Sequence, residues 1–132
     1  MAYQLKKKKH IIKQLELLDE NNKPEMTLNV DIVVDDFRSR YPVIKERVIK
    51  AQQMLDENGD SDTEAIAASQ IAMKAVFVLV FGEMQTRRFL EYYQNRYTEA
   101  FMDVIPFITE EVIPEVNKAV SDENARIIQL MA

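Results

Sequence analysis

The stretch TEAIAASQIAMKAVFVLVF, Thr63 to Phe81, leaves a chain like this few choices. From Ala65 to Phe81 it is apolar on nearly every side, and only Ser69, Gln70 and Lys74 interrupt it. A helix that is apolar all round belongs inside a fold, wrapped by other elements. The run also outlasts a buried strand, which spans about 4–8 residues. Ser61 and Glu64 have the spacing of a capping box and mark its start. Gly82 punctuates the run, and Glu83 to Tyr93 continues as an amphipathic, aromatic segment. The expectation is a buried central helix over 63–81, a bend or break at Gly82, and a second helix after it.

The remaining composition agrees with a helical body. Two glycines and four prolines in 132 residues leave little material for tight β-turns. That length corresponds to about one domain. There is no cysteine, which excludes disulfides and thiolate chemistry. Net charge is −5, with a basic arm at Lys6–Lys9 and acids concentrated over 56–64 and 103–123. This balance argues against a nucleic-acid binder, which would show a basic face or stripe. The N-terminal lysines precede no apolar signal core. The longest unbroken apolar run, Ala75 to Phe81, is too short to span a bilayer.

In chain order, residues 1–9 read as a flexible basic arm and residues 10–32 as a β-hairpin. Met26, Leu28, Val30 and Ile32 alternate with Glu25, Thr27, Asn29 and Asp31, the period of a half-buried strand. Ile11, Leu15 and Leu17 make a noisier first strand, and Asp19 to Pro24 supply the turn. Residues 36–42 read as a connection, with Pro42 in the first turn of a helix that starts near Val43. Ile44, Val48, Ala51 and Leu55 form its apolar stripe. The helical body extends over 43–120. Its last part carries Phe101, Val104, Ile105, Ile108, Val112, Val116 and Val120 at three- and four-residue steps. Thr98 is the expected N-cap there, and Pro106 and Pro114 predict a bend or restart and a second perturbation. Residues 121–132 end in Ile127, Ile128, Leu130 and Met131, either a docked last turn or an exposed apolar peg. The fold class is mainly α with an N-terminal β-hairpin (α+β), one domain over 1–132, with a bundle of about four helices.

No arrangement of residues announces catalysis. His10 is the single histidine, so a histidine-built triad or metal site is out of reach. Gly59 and Gly82 are isolated and make no phosphate loop. Asp56, Asn58, Asp60, Asp62 and Glu64 alternate as in a calcium loop. Counting from Asp56, however, Ser61 stands where glycine is needed and Ala67 where the bidentate glutamate belongs. Arg87, Arg88, Glu110 and Glu111 read as solvated helix faces. The tyrosines stand apart, because an amphipathic ring suits a partly wet interface. Phe89, Tyr92, Tyr93 and Tyr97 form the candidate partner-binding surface, with Met84 and Met102 nearby as adaptable contact surface. No cofactor or metal is expected.

Phe81-Gly82-Glu83, Gln85, Phe89, Tyr92-Tyr93, Tyr97, Val104-Ile105-Pro106-Phe107-Ile108 and Val112-Ile113-Pro114 carry a family likeness. Over residues 75–118 the chain resembles tail assembly chaperones of long-tailed phages and prophages of Gram-positive bacteria. The lysine-rich hairpin ahead of the first helix is also similar. The resemblance implies a non-enzymatic protein that binds the tape measure protein, keeps it soluble and helps recruit major tail tube protein subunits. It implies a homo-oligomer in the cytoplasm of the bacterial host that is missing from the mature virion, with no nucleic acid or membrane as partner. A chain that stops soon after the last helix looks like the short form of a family often made in short and frameshifted long forms. Two other readings stay open: a structural virion protein such as a head–tail joining or tail component, and an enzyme using carboxylates and Mg²⁺.

Overall fold

The computed structural model describes residues 1–6 and 10–132. Of the expected basic arm, residues 7–9 therefore lie outside the described residues. The hairpin consists of β1 (Ile11–Leu18) and β2 (Pro24–Ile32), paired antiparallel with Lys13 opposite Val30 and Gln14 opposite Asn29. The register shifts at Leu17/Leu18, where Leu18 meets Pro24. Asp19 holds the turn by accepting bonds from the Asn21 and Lys23 backbone N–H groups. Ile11, Leu17, Leu28, Val30 and Ile32 share the buried face of the sheet.

Helix α1 runs from Val34 to Asn58, so the segment expected to be a connection is its first two turns. Pro42 lies inside the helix rather than at its start. Burial explains the difference: Phe37 is 3% exposed, extends the Ile44/Val48/Ala51 stripe backwards, and stacks on Tyr41 at 4.8 Å. Pro42 is exposed, so water can reach the carbonyl that its missing N–H leaves behind. Asp35 and Asp36 favour the positive end of the helix in its first turn.

Helix α2 (Thr63–Tyr92) is the buried centre. Its N-cap is Asp62, not Ser61: the carboxylate accepts from the Glu64 and Ala65 N–H groups. Asn58 donates to the same side chain, and this bond, with those N–H groups, holds the Asp62 carboxyl below its usual range. By length and composition α2 could cross a membrane, but its apolar side chains meet β2, α1 and the following helix. The expected break occurs at Gly82, with φ 78° and ψ 168°.

Two left-handed residues, Gln94 and Asn95, reverse the chain into α3 (Tyr97–Phe107). Arg96 rather than Thr98 precedes the helix, and its side chain makes no cap hydrogen bond among the described residues. Pro106 does not end the helix. The chain continues through a π-helical turn (Ile108–Val112) into α4 (Ile113–Met131), with Pro114 in its first turn. The Thr109 hydroxyl donates to the Ile105 and Pro106 carbonyls at this junction. The mainly α fold with an N-terminal hairpin is as expected, and its helical body of about four helices takes the form of three continuous runs, of which α2 is bent. The core joins Leu28, Val30 and Ile32 to Phe77, Val80, Phe89, Ile108 and Val112. The C-terminal segment is a helix whose Ile127, Ile128, Leu130 and Met131 stay exposed.

Candidate partner-binding surface

The four aromatic residues singled out in the sequence fall into two layers. Phe89 is 2% exposed and packs its ring against Phe77, Phe81 and Tyr93 at 4.7–5.1 Å. Tyr93 is buried as well, whereas Tyr92 and Tyr97 are half-buried. Phe89 is therefore an interior residue that offers no ring face to a partner, and Tyr93 is buried except where it borders the cleft described below. After the break at Gly82, α2 turns this side towards the core instead of solvent.

The tyrosine hydroxyls tie the end of α2 to its neighbours. Tyr92 donates to the Leu18 carbonyl at the end of β1. Tyr93 donates to the Asp103 carboxylate of α3 at 2.8 Å. Burial, and then that carboxylate, push the Tyr93 hydroxyl pKa well above its ordinary value. The Arg96 guanidinium donates to the Tyr93 carbonyl and pairs with Glu99 at 3.2 Å.

Between the hairpin turn and the α2–α3 link these residues leave an open cleft of about 560 Å³. Tyr92 and Tyr93 line one part of it, and Asp19, Glu20, Glu25, Glu99 and Asp103 give it an acidic wall, with Arg96 as the single basic residue among the described ones. Tyr97 is not among the lining residues. Met84 and Met102 are exposed elsewhere, at 84% and 66%. The acids come from two ends of the chain. The visible sign was the i,i+4 pair Glu99 and Asp103 facing the same way on α3. Such a wall suits lysine or arginine side chains of a partner, with Tyr92 offering a ring beside them.

A second, apolar groove of about 350 Å³ lies between α1 and α2, lined by Met54, Ala68, Ile71 and Ala75 and rimmed by Arg47 and Lys50. Among the described residues no group of three metal-ligating side chains converges. The acids of the 56–64 loop serve as helix cap and solvated surface instead. The chain matches no family model, no curated protein and no solved structure.

Proposed function

We propose that this chain is a tail assembly chaperone of a long-tailed phage or prophage, a binding protein that keeps a tape measure protein soluble during assembly. The observation that carries this reading is the position of the residues behind the family likeness. Phe81, Gly82 and Gln85 occupy the joint of α2, and Pro106 to Ile108 the passage into the π-helical turn. Gly82 sets the bend of α2, so a chain sharing this glycine is expected to share the bend. The tape measure would lie across the acidic cleft, its basic side chains against Glu20, Glu25 and Glu99 and an apolar flank on Tyr92.

Co-expression with its cognate tape measure protein tests the reading, with size-exclusion chromatography and light scattering as the readout. Several copies of this chain should co-elute with each soluble tape measure. The double change Glu20→Lys and Glu99→Lys should reduce that co-elution at least about tenfold, because like charges then face each other. Co-elution untouched by the change would move the contact elsewhere. An insoluble tape measure that never associates would favour a structural component of the particle, and mass spectrometry of purified virions would then find this chain.

A further inference from the structure

Strand β1 has one partnered edge and one open edge, and Gln85 reveals which groups face which way. Its amide accepts from the Asn29 N–H and donates to the Asn29 carbonyl, so both Asn29 groups point away from β1. Asn29 stands opposite Gln14. Opposed residues of an antiparallel pair either exchange both backbone bonds or turn both sets of groups outward, in alternation. The backbone N–H and carbonyl of Gln14 therefore face away from β2, as do those of Ile12 and Glu16. Among the described residues nothing bonds to these backbone groups. Ile12 is 70% exposed beside them. The far edge of β2 is different, because Gln85 occupies it. An open edge of this length is a template for another strand.

We propose that a second copy of this chain fills this edge, its β1 antiparallel to the first about a two-fold axis at Gln14. The two hairpins then form one four-stranded sheet. The sequence favours this register. It sets Gln14 against Gln14, Ile12 against Glu16, and Lys13 against Leu15, so no like charges oppose. An axis at Glu16 would face two carboxylates, and an axis at Ile12 would overlap only Ile11–Lys13 of the two strands. The two-fold axis repeats each contact, as an isologous interface requires. This pairing is independent of what the acidic cleft binds, and it holds for a chaperone or a virion component alike.

Sedimentation and light scattering of the full chain over a range of concentrations test it. A dimer is expected, and Gln14→Pro should weaken it at least about tenfold, since proline removes the N–H on the open edge and spares the ladder to β2. Gln14→Cys supplies the second arm in this chain without cysteines. Opposed residues of a bonded pair lie about 5.5 Å apart, within disulfide reach, so mild oxidation should link two copies. Ile12→Cys mixed with Glu16→Cys should link as well, and Ile12→Cys alone should not. A monomer at every concentration overturns the proposal. So does a dimer that folded Gln14→Pro leaves intact, or cross-linking in another register. If Gln14→Pro unfolds the chain, the cysteine pattern alone decides.

Discussion

Gln85 holds Asn29 by both of its backbone groups, and the same amide also donates to the Phe81 carbonyl at 2.9 Å. One side chain thus joins the bend of α2 to the outer edge of β2, across 56 positions of sequence. A glutamine amide carries a donor and an acceptor side by side, as a neighbouring strand would, and here it takes that strand's place.

Gln85→Ala should therefore loosen the hairpin more than the helix. The expected loss is about 1–2 kcal/mol in urea unfolding, because water can reach the freed groups at exposed Asn29. Hydrogen exchange should speed up at the Asn29 amide while the amides of α1 keep their protection.

Gly82 is open to a side chain in space but not in backbone angle. A Cβ there would meet nothing within 4 Å, yet φ is 78° and ψ 168°. Such angles are close to glycine-only, at a cost of about 1–3 kcal/mol for other residues. Gly82→Ala should lower stability by that amount. A crystal structure of the variant should show either strained alanine or a straightened α2.

Thr86 is 0% exposed, and among the described residues its hydroxyl has no hydrogen-bond partner. Its isostere valine removes the unpaired group without changing the shape. Thr86→Val is expected to raise stability by about 1 kcal/mol, read as a higher midpoint of thermal unfolding. A loss of stability would show that the hydroxyl is satisfied in solution.

Tyr93 links stability to alkaline pH. Burial and Asp103 raise its pKa in the folded chain, whereas an unfolded tyrosine ionises near about pH 10. The folded state then holds the proton more tightly. The stabilisation is complete below the unfolded value and is lost as pH rises from there towards the folded one. The melting temperature should fall more steeply above about pH 10 in the parent than in Tyr93→Phe. At neutral pH the variant should lose about 1 kcal/mol, the worth of one hydrogen bond.

Pro42 breaks the hydrogen-bond ladder of α1 on its exposed side. Pro42→Ala restores the bond and adds a good helix former. A gain of up to about 3 kcal/mol is expected, measured by urea unfolding.

Much of this architecture was legible because burial wrote it into short periods. Met26, Leu28, Val30 and Ile32 alternate, and the solid apolar run to Phe81 can only be a core. The start of α1 was hidden because Pro42 resembles a helix opener and Asp35-Asp36 resembles a loop. The inward turn of Phe89 and Tyr93 was hidden for another reason. Helical phase cannot be carried across a glycine whose angles are unknown, so the wet and dry sides beyond Gly82 could not be told apart. The acidic cleft was less legible still, because Leu18 and Tyr92 meet across 74 positions and bring Glu20 near Glu99.

The π-helical turn at Ile108–Val112 works like a gear tooth. Val104, Ile108, Val112 and Val116 recur every four residues, and all are buried. An ordinary α-helix advances about 100° per residue, so a four-residue repeat creeps round it by about 40° at each step. The wider turn cancels part of that creep and keeps one row of side chains aimed at the core through two helices. Deleting a single residue there would rotate everything after it by about 100°. Val116 would swing out and another side of α4 would swing in, with every helix still formed.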